Sequence, residues 1–514
     1  MRDKIIVLGL DGATFEFIIP LMRKGVLKTF KTLLNYSIVA PLRSTIPPIT
    51  IPAWQSMFSG LSPEKLGITD FFKIVDNKLV PITSKDIRGK MLWDVYKDLR
   101  FIIYNIPGTY PAYKVNGIMI STPIGTWNPK SIYPPEKKSE IEKIFTKKML
   151  NTFRDIPITK RGRVKQLYSL TKAETELFRY LYTNYEFDIF IFRYEITDYI
   201  AHWAKDREEI EKAYIFLDRE LEKLFNGIDL ENTYILIVSD HGVSPEPKEK
   251  KFFINSWLLK QGYLNLNSDV GQKSRLNNLL EGIGKFLITH NILDKVTLVK
   301  LYTKILKMFK KGQRSFTQSF IDQIDIKKSK AYAYTSAGGI ICIRMEDTSI
   351  IEELSNKLLR IKDDEGIPPI VNVVRRTFVE KPEIIAESHP KYSLHHEIVR
   401  ELFLKNIKSF SHSSEGIFMV YPVTRFNANE MGNIDETKRY KVEVFDVMPT
   451  ISYLLNLPIP LGISGRVPLE LFRKHREFAN RDIRYLHKES IILPPNEAER
   501  MRKIVKNLVM RGEI

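Results

Sequence analysis

Unbroken apolar runs alternate with longer amphipathic segments through the first half of the chain. Each run is short enough for a strand and lacks the polar alternation of a half-exposed sheet, which indicates parallel strands buried on both faces. Thr171, with Glu174 and Glu176 after it, is typical of a helix N-terminus. We therefore expect an α/β fold with a mainly parallel sheet sandwiched by helices. The predicted strands are 4–10, 101–106, 188–193 and 234–239, and the predicted helices lie near 15–35, 173–185 and 206–225.

This rhythm is interrupted between about 246 and 408. Basic helical runs come first there, followed by short strands such as 340–343, before an apolar strand pattern resumes at 416–421. A chain of 514 residues is also too long for one simple core. The predicted organisation is a discontinuous catalytic core at 1–245 and 409–480, an inserted cap or substrate domain at 246–408, and a C-terminal helical extension at 481–514.

Acidic and histidine side chains are paired at two distant places in the chain. Asp198 and His202 are four residues apart, a spacing that puts both on one face of a helix. Asp240 and His241 follow the apolar run 234–239, at the kind of strand end where α/β sheets place their sites. A third strand end carries Asp11. Carboxylate and imidazole together are typical ligands of a divalent metal, so two such pairs predict two metal ions.

A hydroxyl-bearing segment at 44–54 supplies a candidate nucleophile. Its three prolines fix φ and predict a stiff loop around a hydroxyl. Ser44, Thr45, Thr50 and Ser56 are the candidate nucleophiles of this region. Together with the metal ligands this segment predicts a site for phosphoryl transfer with two metals.

Several motifs, in the same order along the chain, carry a family resemblance. The chain resembles the alkaline phosphatase superfamily and, within it, the type I phosphodiesterase/nucleotide pyrophosphatase family. The resemblance implies an alkaline-phosphatase-like core and spans most of the chain. The motifs that carry it are 7–12, 48–54 followed by 59–68, 105–111, 239–242, 411–418 and 446–450.

The resemblance also implies how the ligands divide between the two metals. It places one metal on an N-terminal Asp, the nucleophile and an Asp-His pair, and the other on an Asp-x-x-x-His pair and a late histidine. His412 is preferred as that histidine over His389, His395 and His396, because the strand at 416–418 follows it at the family spacing. The two sets in this sequence are Asp11, Thr50, Asp240 and His241 for one metal, and Asp198, His202 and His412 for the other.

The implied reaction is hydrolysis of a phosphodiester or pyrophosphate bond through a phosphorylated Thr50. Two cations roughly 4 Å apart offset the negative charge of the phosphoryl oxygens and activate a weak hydroxyl nucleophile. The ligand types suit zinc, which we expect, or manganese. Sulfatases are excluded, because Thr50 is neither of their precursor residues and no arginine follows it at their spacing.

Two other functions stay open. A phosphomonoesterase or phosphotransferase of the same superfamily would use the same seven residues, whereas an inactive polyanion-binding scaffold would not need them. The sequence also has Ala53 where nucleotide pyrophosphatases of this family have an asparagine that contacts a phosphoryl oxygen. Asn105 is a candidate substitute for that contact.

Charge and composition narrow the choice of partners. Lys and Arg number 79 against 61 acidic residues, a net charge of +18 that favours anionic partners such as a small phosphate ester. No nucleic-acid-binding motif is present. A single cysteine excludes an intramolecular disulfide framework, and no secretory signal or apolar stretch of roughly 20 residues is visible. We expect a cytoplasmic protein.

A basic amphipathic pattern occupies 273–314 within the predicted insertion. Ten Lys and Arg accompany two acidic residues there, and apolar positions recur at helical spacing. Such a helix packs on the core with its lysines in water, lies on an anionic membrane surface, or lines a substrate entrance. These alternatives remain open from the sequence.

Overall fold

The computed structural model describes residues 3–75, 78–122, 129–144, 160–267, 323–337, 340–345, 347–377, 382–421, 440–473, 475, 478 and 480–486. The segment 273–314 and most of the predicted extension at 481–514 lie outside these residues. Within the described part of the chain, no helix is both long enough and apolar enough to cross a membrane.

The described part of the chain contains 20 strands, the first beginning at Lys4 and the last ending at Glu443. They are β1 (Lys4–Leu10), β2 (Ile38–Arg43), β3 (Phe72–Val75), β4 (Lys78–Pro81), β5 (Phe101–Tyr104), β6 (Gly117–Ile120), β7 (Ile132–Tyr133), β8 (Ile189–Tyr194), β9 (Thr233–Val238), β10 (Gly242–Val243), β11 (Lys248–Phe253), β12 (Ala331–Ala337), β13 (Ile340–Met345), β14 (Ile370–Thr377), β15 (Pro382–Ser388), β16 (Tyr392–His395), β17 (Phe403–Ser409), β18 (His412–Ser413), β19 (Glu415–Tyr421) and β20 (Val442–Glu443).

The described α-helices fall mostly between the core strands. They are α1 (Phe15–Arg23), α2 (Lys28–Asn35), α3 (Thr50–Ser59), α4 (Pro63–Leu66), α5 (Leu92–Val95), α6 (Lys138–Ile144), α7 (Lys160–Asn184), α8 (Ile196–Trp203), α9 (Arg207–Phe225), α10 (Ile254–Lys260), α11 (Ile351–Leu359), α12 (Val447–Leu454) and α13 (Leu469–Phe472).

A nine-stranded sheet forms the centre of the core, in the order β20-β2-β19-β9-β1-β8-β5-β6-β7. The five strands from β9 to β6 are parallel to one another, and β19 and β7 are antiparallel to their neighbours. Successive residues of β1 enter two separate hydrophobic clusters, with Ile6 and Leu8 in one and Ile5 and Val7 in the other. Apolar layers therefore cover both faces of the sheet, which confirms the predicted α/β class and explains why the strand sequences do not alternate.

Three details of the sequence prediction were wrong. The helix expected to begin at Thr171 begins at Lys160, and the Thr171 hydroxyl donates to the Leu167 carbonyl inside the helix, 3.1 Å away. The helix expected near 15–35 is divided into α1 and α2, because the intervening Gly25 has φ +75°. The segment at 44–54 is not all loop, since α3 begins at Thr50. Pro52 is tolerated in the first turn of α3, where its missing N–H removes no helical hydrogen bond.

The chain between β10 and β18 forms two further sheets with a hydrophobic cluster of their own. The sheets are three-stranded, in the order β16-β11-β17, and four-stranded, in the order β12-β13-β15-β14. β10 and β18 pair antiparallel, so the chain leaves the core and returns at the same place. This place is the carboxyl edge of the parallel strands, because β10 follows β9. The domain boundaries predicted from the sequence stay predictions.

Candidate metal centre and active site

The predicted ligands gather at the carboxyl edge of the central sheet. Asp11 follows β1, Asp240 and His241 follow β9, and α8 carries Asp198 just after β8. Because β9, β1 and β8 are adjacent and parallel, their ends meet at one edge. β19 runs the opposite way, so the residues that precede it, including His412, reach the same edge.

The first cluster contains Asp11, Asp240 and His241, whose ligand atoms all lie within 4.8 Å of one another. His241 Nε2 is 3.8 Å from Asp11 Oδ1 and 3.3 Å from Asp240 Oδ2. All three side chains are completely buried. The cluster is thus a closed group of two carboxylates and one imidazole.

The second cluster contains Asp198, His202 and His412, again with ligand atoms within 4.8 Å of one another. His202 Nε2 and His412 Nε2 lie 3.3 and 3.4 Å from Asp198 Oδ1. The His202 side chain is 45% exposed, so this cluster faces solvent on one side. The rings of His412 and His241 stack with centroids 3.7 Å apart, which places the two clusters side by side.

The residues of both clusters fit divalent metal ions. Asp11 Oδ1, Asp198 Oδ1 and Asp240 Oδ2 are buried oxygens without a hydrogen-bond partner. An unpaired buried carboxylate oxygen is costly, and a cation bound between these oxygens would offset that cost. Each of the three aspartates in the two clusters therefore has one oxygen available to bind a metal ion.

The histidine tautomers also suit metal binding. His241 Nδ1 donates to the Gly242 carbonyl at 3.0 Å, and His412 Nδ1 donates to the Pro48 carbonyl at 2.8 Å. Because a carbonyl only accepts, each Nδ1 carries the proton and each Nε2 presents its lone pair to the cluster. Burial holds the pKa of His241 well below its ordinary value, which keeps the ring neutral.

The aspartates of the clusters disfavour one another's charged forms. Burial raises the pKa of Asp240 well above its ordinary value, and the nearby Asp11 carboxylate raises it further. Divalent cations would remove the repulsion that these carboxylates exert on one another.

Thr50 lies next to the first cluster. It is the first residue of α3, and its Oγ1 is 3.4 Å from His241 Nε2. Its rival Thr45 donates its hydroxyl to the Pro47 carbonyl at 2.9 Å. Of the hydroxyls described in the 44–54 segment, Thr50 is the one within hydrogen-bonding distance of a clustered residue. The N-terminus of α3 also brings the positive end of its dipole to this place.

The other late histidines lie elsewhere. His389 Nδ1 accepts from the Lys391 backbone at 3.2 Å, and His395 Nδ1 lies 3.3 Å from Glu397 Oε2. His389 lies just before β16 and His395 is the last residue of that strand. Only His412 of these three lies in the second cluster.

Asn105 does not suit the role of an oxyanion donor. Its Nδ2 donates to Glu195 Oε2 at 3.3 Å, and its Oδ1 accepts from the Thr122 hydroxyl. The residue is fully buried and its backbone is left-handed, with φ +58°. Both ends of the amide are therefore engaged behind the clusters, and the structure does not support the expectation from the sequence.

Arg193 is a site residue that the sequence analysis missed. It is a single basic residue in the otherwise apolar β8, and its guanidinium lies against Asp11, with Arg193 Nε 2.7 Å from Asp11 Oδ2. A lone charge in a strand buried on both faces must find a partner, and this rule could have marked the residue.

A cavity of about 610 Å³ lies apart from the metal ligands. Its walls include Gln55, Lys85, Tyr113 and Lys130, and none of the seven candidate ligands. Gln55 is five residues beyond Thr50, which is about 7.5 Å along α3. The cavity therefore contains none of the candidate ligands, and it is connected to Thr50 through Gln55 on the same helix.

Comparison with known proteins agrees with this geometry. Residues 5–368 match the model of the type I phosphodiesterase/nucleotide pyrophosphatase family. The chain belongs to this family. As a family member it is a phosphoryl hydrolase of the phosphodiesterase/pyrophosphatase type in the alkaline phosphatase superfamily, as the resemblance predicted.

Solved structures similar to this family member include phosphonoacetate hydrolase from Sinorhizobium meliloti 1021 in complex with phosphonoformate. The two chains share 14% identity with a TM-score of 0.54, over 87% of this chain and 94% of that one. Murine ectonucleotide pyrophosphatase/phosphodiesterase 5 is also similar, with 12% identity and a TM-score of 0.47 over 88% and 95% of the two chains. The similarity to the hydrolase shows the fold. No curated protein gave a significant match.

Proposed function

We propose that this protein hydrolyses a phosphodiester or pyrophosphate bond in a small, nucleotide-like substrate, using two metal ions and Thr50 as nucleophile. One observation carries the proposal: two three-residue ligand sets stand side by side, each with unpaired buried carboxylate oxygen, and Thr50 Oγ1 lies beside them. Asp11, Asp240 and His241 with Thr50 would hold one ion, and the second cluster the other.

The donor set favours zinc, with manganese as the alternative. Imidazole and carboxylate ligands suit both, and three histidines among six side chains are more typical of zinc than of magnesium. When bound, such cations neutralise phosphoryl oxygens and make a hydroxyl a competent nucleophile. The family membership supports a divalent-metal enzyme, and the identity of the ion is part of this proposal.

The chain's own contribution is to position the nucleophile and the phosphoryl group. Thr50 Oγ1 forms a bond to phosphorus as the bond to the leaving oxygen breaks, and the leaving group takes up the proton that the Thr50 hydroxyl loses. Water then attacks the phosphorus atom, the bond between phosphorus and Thr50 Oγ1 breaks, and a proton from the water restores the hydroxyl. The buried first cluster restricts water around Thr50, while the exposed His202 side leaves a route for the substrate. The N-terminal dipole of α3 favours the anionic phosphoryl group.

The experiment compares Thr50→Ala and Thr50→Ser with the wild type. We expect Thr50→Ala to lose several orders of magnitude in kcat, because covalent catalysis needs the hydroxyl oxygen, and Thr50→Ser to keep part of the rate. Acid quenching during turnover followed by mass spectrometry should find the phosphoryl group, with the substituent that has not left, on the peptide that contains Thr50. Thr45→Ala is the matched control, since its hydroxyl is engaged with Pro47. Wild-type kcat in Thr50→Ala would refute the nucleophile.

The alternatives are separated by substrate and by metal content. A bis-nitrophenyl diester hydrolysed faster than a nitrophenyl monoester supports the diesterase, and the reverse order supports a monoesterase or phosphotransferase. A polyanion-binding scaffold would purify without bound transition metal and turn over neither compound.

A further inference from the structure

Arg193 reaches from the centre of the sheet to the first cluster. Its side chain is 7% exposed, and its Nε and Nη2 lie 2.7 and 2.5 Å from the same oxygen, Asp11 Oδ2. Trp54 Nε1 donates to that oxygen as well, at 3.2 Å. Asp11 Oδ2 thus has three N–H groups around it, and Asp11 Oδ1 has no hydrogen-bond partner. In Asp11, therefore, Oδ2 is held by protein N–H groups and Oδ1 is left for another ligand.

The absence of a side chain at Gly9 makes room for Trp54 and Arg193 beside Asp11. Gly9 lies on β1 between the Trp54 ring and Arg193, and a Cβ at this position would come 2.4 Å from Trp54 Cη2 and 3.3 Å from Arg193 Cβ. Any larger residue would displace the indole that donates to Asp11. The main chain of Asp11 is held too, since its N–H donates to the Tyr194 carbonyl at 2.9 Å and its carbonyl accepts from the Thr197 hydroxyl.

Arg193 is itself held on the side away from Asp11. Its Nη1 donates to Glu195 Oε2 at 3.0 Å and to the Asn105 carbonyl at 3.2 Å. Asn105 also donates to Glu195 Oε2, so the two residues brace each other. Glu195 is 3% exposed and belongs to neither metal cluster. The guanidinium therefore has one fixed orientation between two carboxylates.

We propose that Arg193, braced by Glu195, is a positioning residue that holds Asp11 by Oδ2 so that only Oδ1 is presented to the metal of the first cluster. The proposal rests on the proposed function, since it requires that metal to bind. A guanidinium can direct both Nε and Nη2 at Asp11 Oδ2 and donate from Nη1 to Glu195, whereas a lysine ammonium is a point charge that cannot keep this geometry. Groups that orient a metal ligand typically contribute about 10–100-fold to metal affinity.

The test measures zinc affinity by competition with a chromogenic chelator in two backgrounds. His412→Ala should leave only the ion of the first cluster, and there we expect Arg193→Lys to weaken the remaining ion by about 10–100-fold. Asp240→Asn should leave only the ion of the second cluster, and there Arg193→Lys should change nothing. Excess zinc should restore the kcat of the Arg193→Lys single variant, because a positioning residue changes metal occupancy and not the chemical step.

Two further variants keep the test decisive. Glu195→Gln is close to isosteric and should weaken the first ion in the same direction, and the double variant Arg193→Lys/Glu195→Gln should be less than additive, because both act through one contact. If Arg193→Lys does not fold, the zinc affinity of Glu195→Gln tests the proposal in its place. Arg344→Lys is the control: it disturbs the ion pair between a partly buried arginine and the buried Glu383 in the β12–β15 sheet and should leave zinc affinity unchanged.

The outcomes separate this inference from the proposed function. Suppose that the wild type binds two ions and that the Arg193 and Glu195 variants bind the ion of the first cluster with unchanged affinity. This result would overturn the role of Arg193 and leave the proposed function intact. A wild type that binds no transition metal would overturn both. Loss of zinc in the Arg344 control to the same extent would show that the effect is general destabilisation, and that result also overturns the inference.

Discussion

Asp240→Asn should stabilise the metal-free protein and destabilise the metal-loaded one. Asp240 is completely buried, its Oδ1 accepts only from the Gly12 backbone at 3.3 Å, and its Oδ2 has no partner. Asparagine has the same shape and keeps an oxygen for Gly12. It removes a buried carboxyl group whose charged form is disfavoured by burial and repelled by Asp11, and with it a ligand for the metal of the first cluster.

The size of each effect follows from these contacts. Leaving a buried polar group unsatisfied costs about 1–3 kcal/mol, and more for a charge, so the metal-free variant should gain at least about 1 kcal/mol. An ion present at a thousand times its dissociation constant stabilises the native state by about 4.1 kcal/mol. If the variant loses at least 100-fold in affinity, about 2.7–4.1 kcal/mol of this is lost. The effect of the substitution should therefore differ by about 3–4 kcal/mol between the two conditions.

The pH dependence has a definite sign. The pKa of Asp240 is higher in the folded protein than in the unfolded one. At a pH between these two pKa values, the native state therefore binds more protons than the unfolded state. Stability of the metal-free wild type should therefore fall as pH rises above the ordinary aspartate value near 3.9. In Asp240→Asn, the free energy of unfolding should depend less steeply on pH than in the wild type.

The assay is urea unfolding followed by tryptophan fluorescence, once with chelator and once with excess zinc. Asp218→Asn is the control. Its carboxylate is also buried, but it accepts from the backbone N–H groups of Lys28, Thr29 and Phe30 at the start of α2, at 3.1, 3.2 and 2.8 Å. Asparagine cannot accept all three, so this variant should be less stable in both conditions. A metal-free Asp240→Asn that is less stable than wild type would refute the argument that the carboxylate is held at a cost.

Three further predictions follow from the site. Elemental analysis should find two zinc or manganese ions per chain, and chelation should abolish activity that either metal restores; full activity with no transition metal would exclude the assignment. His412→Ala should lose one ion and keep the other, whereas His395→Ala should keep both, which the same analysis measures. Gly9→Ala should destabilise the protein by about 1–3 kcal/mol in urea unfolding, because the new methyl group overlaps Trp54; a neutral result would show that the indole can move freely.

Local sequence was sufficient for the elements whose burial is uniform. A strand covered on both faces needs an unbroken apolar run, so β1, β8 and β9 could be located within a residue or two. The i,i+4 spacing of Asp198 and His202 likewise determines that both lie on one face of α8. The family motifs added Thr50 and His412, which no periodicity identifies.

Only the tertiary structure decided which side chains meet. Arg193 and Asp11 are 182 positions apart, and their contact depends on β8 lying beside β1, a pairing that is set by packing across the whole sheet. The same dependence explains the error over Asn105, whose amide is engaged by Glu195 and Thr122. The pattern of apolar residues indicates which positions of an element are buried, because each buried position favours an apolar residue independently of the others. Partners of buried charges depend on the order of strands, which no local pattern contains.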